Sequence, residues 1–305
     1  MISQSELLAA AEAIRAGQLV VFPTETVYGL GANALNPEAV ARIYQAKERP
    51  VSSPLIVHVA GIQQARELAA EWPNHAQKLA EHFWPGPLTL VVRKKPIVPD
   101  CVTAGLDTVG LRMPANAIAL ALIRESGVPI AAPSANRFTE LSPTTAQHVR
   151  ESLGNLVAII LDGGPTDVGI ESTVLSVSPA CLLRPGSITR DQIESLIGPI
   201  SVNASEQANR SPGQHPRHYQ PRTRLILAHA DELPSGHGAF LFHSVPCRGA
   251  QMIEMPPDAR AYAQRLYALL HQLDAQNLDW IAVEPPPEGS EWDGIHDRLR
   301  RAAAV

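Results

Sequence analysis

At 305 residues the chain has room for two domains of about 150 residues each. Its 45% hydrophobic and 18% charged content describes a globular protein and excludes a disordered acidic or basic tail. A formal net charge of −5 opposes broad coating of nucleic acid, while leaving room for one local basic site.

Cys101, Cys181 and Cys247 form no CxxC pair. They read as ordinary thiols of a reducing compartment, with neither a disulfide framework nor a zinc cage. The longest aliphatic run, 117–123, is far below the roughly 18 residues of a membrane span. The first residues lack a basic signal region. A cytoplasmic protein is expected.

In chain order, the first element is a helix opened by the capping box Ser3-x-x-Glu6 and closed by Gly17. Residues 19–22 read as a buried strand stopped by Pro23. Asn36-Pro37 starts the next helix as cap and first-turn proline. Further strands are expected at 55–59, 88–93, 108–112, 128–132, 156–161, 173–177 and 181–184. Helices fit 62–70, 74–82, 116–126, 144–152 and 190–197, the last capped by Thr189-x-x-Gln192. Strands and helices mingle without strict alternation, which predicts a mixed sheet with helices packed on it.

This first unit spans 1–198. Residues 199–222 are proline-rich and polar and read as a linker, with four arginines and two histidines between Arg210 and Arg224. The remainder, 223–305, carries strand patterns at 224–229, 239–242 and 279–283 and a helix at 258–273, hence a small second α/β domain.

Several motifs sit where chemistry is usually placed, each with a bland reading beside it. Gly29-Leu30-Gly31 matches part of the dinucleotide fingerprint, but the next helix begins too late to offer its N-terminus to a pyrophosphate. No Gly-Lys dipeptide occurs, so there is no Walker A loop. Thr24, Glu25 and Thr26 follow a buried strand, either as a ligand contact or as a polar turn. Lys47 and Arg49 could converge on a polyphosphate, although a single lysine at a helix end ordinarily serves the helix dipole. His58 reads as a half-buried strand histidine. Arg112, on the strand face of Thr108, could grip a carboxylate or pair with a structural acid. Ser142-Pro143 reads as a helix cap that could equally present amides to an anion. His215-x-x-His218 lacks the partners of a metal site.

Taken together, these motifs are specific. The ordered series PTETVYGLG (23–31), KxRP (47–50), PLIVH (54–58), WPGPLT (84–89), LDTVGLRMP (106–114), PSAN (133–136), SPT (142–144), ESTV (171–174) and LRPG (183–186) closely resembles the YrdC-type threonylcarbamoyl-AMP synthases. The resemblance covers about residues 5–200. It continues through Ser211-Pro212-Gly213 and His218-Tyr219-x-Pro221, and through the terminal DRLRRAA run (297–303), as in the longer two-domain members.

The resemblance implies a YrdC-like twisted mixed sheet with flanking helices and a concave active site, plus a smaller Rossmann-like α/β domain. It implies that L-threonine, bicarbonate and ATP, with Mg2+, give L-threonylcarbamoyl-AMP and pyrophosphate. The product would pass to the machinery that modifies an adenosine beside the anticodon of tRNA, with direct tRNA contact left open. Arg49, Ser53, Thr108, Ser134, Ser142, Arg184 and Tyr219 would line the ATP site. Thr26, His58, Arg112, Ala132 through its backbone, and Ser172 would hold threonine. Lys47, Arg49, Ser134 and Asn136 form the set associated with activity, and no protein metal site is implied.

Three departures from the family pattern stand out: Ser53 where Asn is usual, Gln214-His215-Pro216 in the linker, and a short second domain. Two other classes are weighed against the synthase. A double-stranded RNA-binding module is opposed by the net charge. A carbamoyl-transfer domain of hydrogenase-maturation type is opposed by the lack of any CxxC.

Overall fold

The computed structural model describes residues 2–202, 218–244 and 251–304. Helix α1 (Gln4–Arg15) opens as its sequence predicts. Ser3 Oγ accepts from the Glu6 amide at 3.2 Å, and the Glu6 carboxylate accepts from the Ser3 amide at 2.8 Å. The chain then forms β1 (Val20–Phe22), β2 (Gly29–Asn33), α2 (Pro37–Lys47), β3 (Ile56–His58), α3 (Ile62–Leu68), α4 (Asn74–Phe83) and β4 (Leu88–Arg93). Next come α5 (Asp100–Thr103), β5 (Thr108–Arg112), α6 (Ala117–Ser126), β6 (Ile130–Ala131), α7 (Ala146–Leu153) and a 3-10 turn (Gly154–Leu156). Strands β7 (Ile159–Ile160), β8 (Thr173–Val177) and β9 (Ala180–Arg184), helix α8 (Arg190–Ile197) and β10 (Ser201–Val202) follow. The remaining elements are β11 (Arg224–Leu227), β12 (Gly238–Phe242), β13 (Gln251–Glu254), α9 (Ala259–Asp274), β14 (Trp280–Val283) and α10 (Asp293–Ala302).

Ten strands form one mixed sheet in the order β10-β9-β8-β4-β5-β3-β6-β2-β1-β7. Its core is aliphatic on both faces. Leu30, Val57, Leu90, Leu111 and Leu175 are buried in one cluster, and Val20, Phe22 and Ile130 pack with α1 and α6 in another. A second, all-parallel sheet takes the order β11-β14-β12-β13. The two sheets share an apolar boundary in which Val27, Leu141 and Ile170 meet Tyr262, Leu266 and Ile295. This contact ties the second sheet to loops that leave the first.

The Gly29-Leu30-Gly31 segment is strand, not loop: β2 pairs antiparallel with β1, Val20 opposite Gly31 and Phe22 opposite Gly29. A Cβ at Gly31 would stand 2.6 Å from the Phe22 ring and 2.8 Å from Ile130, so the glycine admits close packing and binds no pyrophosphate loop. Ser142 does not cap a helix. Helix α7 starts after Thr145, whose hydroxyl accepts from the His148 amide, while the Ser142 hydroxyl donates to the buried Glu171 carboxylate. A buried carboxylate needs donors more than a helix end needs this one cap. Strand β10 falls inside the stretch read as linker and pairs parallel with β9. Residues 203–217, with the Ser211-Pro212-Gly213 and Gln214-His215-Pro216 motifs, lie outside the described residues, as does Cys247.

Candidate active site

The loops that leave β1, β3, β5, β6 and β9 converge on one cavity. Thr24 builds its first wall. The Thr24 hydroxyl donates to the Val27 carbonyl at 2.6 Å and lies 2.8 Å from the Thr26 hydroxyl, fixing a tight turn after β1. That turn aims Glu25 inward. Arg112, at the end of β5, donates through Nη2 to Glu25 Oε1 at 2.7 Å and to the Thr26 hydroxyl at 2.9 Å. The Ala115 amide donates to the other oxygen of Glu25 at 2.9 Å. The arginine is thus held in one orientation while its Nη1 makes no hydrogen bond among the described residues. Of the two roles expected of Arg112, the pairing with a structural acid is seen here, and that acid orients the fork without using all of it.

His58 at the end of β3 is fully buried, not half-buried, edge-on to Phe22 with ring centroids 5.8 Å apart. Its Nδ1 has no partner among the described residues. Burial, helped by the Arg112 charge, pushes its pKa down to about 3, so the ring is neutral at pH 7. Ala132 and Ser172 line the same side, and the Ser172 hydroxyl lies 2.8 Å from that of Thr89.

The opposite side is cationic. Helix α2 ends when Glu48 enters the left-handed region at φ 53, which turns Arg49 back under the Ser134 loop. The Lys47 ammonium is completely enclosed and donates to the Ser134 carbonyl at 2.7 Å and to the Asn136 carbonyl. Arg49 donates to the Pro54 carbonyl at 3.2 Å and lies over the Phe138 ring at 5.6 Å. Among the described residues neither Lys47 nor Arg49 forms an ion pair. Arg184, at the end of β9, donates through Nη2 to the Ser172 carbonyl at 2.9 Å. Burial lowers the pKa of all three, Lys47 well below its ordinary value and Arg49 to about 10. Burying such charges is costly unless polar or anionic partners offset it.

Of the residues singled out from sequence, Thr26, Arg49, His58, Arg112, Ala132, Ser134, Ser172, Arg184 and Tyr219 line this cavity. Lys47 and Asn136 sit directly behind the Ser134 loop, and Ser142 stands behind Glu171. Ser53 and Thr108 do not line it. Thr108 is four residues along β5 from Arg112, roughly 13 Å by strand rise. Tyr219 is buried, its hydroxyl without a partner among the described residues, and the neighbouring His218 stands edge-on to Phe138. Two acids, Glu171 in the wall and Glu25 bonded to Arg112, have no role assigned from sequence. In the sequence Glu25 reads only as part of a polar turn, and Glu171 only as the first letter of a motif.

The neutral histidines set a pH dependence. His58 has a folded pKa of about 3 and His148, stacked on His271, one of about 4, both below the usual value of 6.5. Between those limits the unfolded chain binds more protons, so stability rises with pH. Thermal melts of the ligand-free protein should therefore fall steadily from pH 6.5 to pH 4. His58→Phe should remove part of that slope, at most about 1.4 kcal/mol per pH unit. An identical slope in the variant would mean that His58 is not buried neutral.

Residues 12–186 match the Sua5/YciO/YrdC family model, described as Telomere recombination. Residues 188–304 match the model described as Threonylcarbamoyl-AMP synthase, C-terminal domain. The threonylcarbamoyl-AMP synthase of Pyrococcus abyssi is 41% identical, over 99% of this chain and 95% of its own. That of Bacillus subtilis is 42% identical, over 98% and 93%. The crystal structure of P. abyssi Sua5 complexed with L-threonine superposes with a TM-score of 0.91 at 39% identity, covering 99% of this chain and 95% of that one.

Proposed function

The chain belongs to the Sua5/YrdC family of threonylcarbamoyl-AMP synthases, and from that premise we propose that it condenses L-threonine, bicarbonate and ATP into L-threonylcarbamoyl-AMP and pyrophosphate. The observation that carries the reading is the division of one cavity into two charge environments. An arginine oriented by a buried acid faces a side that carries Lys47 and Arg49, buried cations that form no ion pair among the described residues. The first suits an amino-acid carboxylate, the second a polyphosphate.

In this reading the threonine carboxylate takes the unused edge of Arg112, with Thr26, His58, the Ala132 backbone and Ser172 around it. The threonine amine attacks bicarbonate carbon, and loss of water leaves a carbamate. A carbamate oxygen then attacks the α-phosphorus of ATP. The new P–O bond forms as the bond to the β-phosphate oxygen breaks, and pyrophosphate departs. This displacement needs little covalent help, but it needs positive charge fixed where the phosphates sit. Lys47, Arg49 and Arg184 supply it. Lys47 also holds the 134–136 loop through two carbonyls, so Ser134 and Asn136 keep their places. Ser53, Thr108, Ser142 and Tyr219 complete the nucleotide contacts assigned to the family pattern, Ser53 and Thr108 at the outer end of the nucleotide.

Magnesium, expected with ATP, finds no group of three or more His, Cys, Asp or Glu side chains among the described residues. In this reading it arrives on the triphosphate and no protein ligand is assigned to it. Residues 1–198 form the catalytic unit, 199–222 the linker and 223–305 the C-terminal unit. In this reading the product serves tRNA modification, and the reaction is assigned to the cytoplasm. No helix among the described residues is long and apolar enough to cross a membrane.

The test is pyrophosphate release from ATP. Release that requires both threonine and bicarbonate supports the assignment, and release indifferent to either one refutes it.

A further inference from the structure

Glu171 is the only carboxylate among the described residues that line the cavity. It is buried, and it immediately precedes Ser172, whose carbonyl accepts two bonds from Arg184 at 2.9 and 3.1 Å. A carboxylate in that position is a problem for a site that must bind a triphosphate. Left alone in a low-dielectric wall, its charge would repel the phosphates directly.

A residue from the far end of the chain prevents this. Arg298, in the middle of α10, is fully enclosed and reaches across the boundary between the sheets. Its Nε donates to Glu171 Oε2 at 2.7 Å and its Nη2 to the Glu171 carbonyl at 3.1 Å. Its Nη1 donates to the Pro185 carbonyl at 2.8 Å, one residue beyond Arg184. The same guanidinium lies over the Tyr219 ring at 5.4 Å. The Ser142 hydroxyl donates to Oε1 of Glu171, and the Tyr267 hydroxyl donates to Oε2 at 3.3 Å. One side chain thus binds the backbone on both sides of the Arg184–Ser172 contact and neutralises the acid between them. Asp297, which accepts from Nη1 at 2.9 Å, orients the guanidinium from its own helix.

We propose that Arg298 is a positioning residue for ATP: it holds the Glu171 carboxylate in a closed ion pair, so that the charge of this acid does not oppose the phosphates. The C-terminal unit thereby completes the electrostatics of a cavity it does not itself line. The assignment rests on the function proposed above. It differs from simple domain docking in one respect: the damage done by losing Arg298 is the charge released on Glu171, and removing that charge repairs it.

The experiment is a double-mutant cycle on the full chain, read by calorimetric titration with ATP and, separately, with threonine. Arg298→Met should weaken ATP binding by at least about tenfold and leave threonine within about twofold, because only the phosphate side gains an unpaired acid. Adding Glu171→Gln, which keeps donors and acceptors but no charge, should bring ATP affinity back to within about threefold of native. Unchanged ATP affinity in Arg298→Met overturns the proposal. So does a lasting loss in the double variant when both proteins melt cooperatively, since that is the signature of a purely structural contact. Should Arg298→Met not fold, the double variant decides alone: near-native ATP binding supports the proposal, and failure to fold or bind refutes it. A native protein that bound no ATP would overturn the proposed function itself, and this assignment with it.

Discussion

Lys47→Ala should reduce threonine-dependent pyrophosphate release by about 100- to 1,000-fold, with a cooperative melt retained. The ammonium is buried without a carboxylate partner among the described residues, and burial together with Arg49 already lowers its pKa. Holding a cation there costs stability in the ligand-free protein, and an anionic ligand offsets that cost. A second readout follows. Saturating ATP should raise the melting temperature of the native protein much more than that of the variant. In the variant the Ser134 and Asn136 carbonyls lose a donor, which costs about 1–3 kcal/mol of fold stability at most. Turnover and melting, measured together, separate the two effects. Near-normal turnover in Lys47→Ala would remove it from the phosphate site.

The other large effect concerns Arg112. Arg112→Lys retains the charge and its pairing with Glu25, but a single ammonium cannot serve the acid and a second carboxylate in one plane. Threonine affinity should fall by at least about tenfold while ATP affinity changes less than about twofold. Glu25→Gln attacks the same element from the other side. It leaves a buried guanidinium unpaired, which should cost about 3–5 kcal/mol of stability in addition to threonine binding. Calorimetry with each ligand, followed by a denaturant melt, tests both. Equal threonine constants in native protein and Arg112→Lys would make the arginine purely structural.

Local signals explain which parts of this architecture could be read from the sequence. The capping boxes at Ser3 and Thr189 and the Asn36-Pro37 start each specify their helix without outside help, and each helix begins there. Strands with buried aliphatic runs, such as 88–93 and 108–112, were equally legible. β2 was not, because its two glycines are turn residues by propensity and strand residues only because Phe22 needs the space above them. Strands β10 and β13 exist through pairing with β9 and β12, a long-range fact that no window of sequence contains. Helix α5 is four residues long, too short for any periodicity. The cavity divides the same way. Lys47, Arg49 and Arg112 were visible as charged residues at element ends. The Glu25–Arg112 and Glu171–Arg298 pairs join residues 87 and 127 positions apart, and only the folded chain brings them together.

The central claim is that one cavity binds an amino acid and a nucleotide and joins them through one carbon from bicarbonate. The most direct test is mass spectrometry of the product formed from ATP, threonine and 13C-bicarbonate. The account predicts a threonylcarbamoyl adenylate that carries the label, formed together with pyrophosphate. An unlabelled threonyl adenylate, or AMP and pyrophosphate formed without threonine, would contradict it.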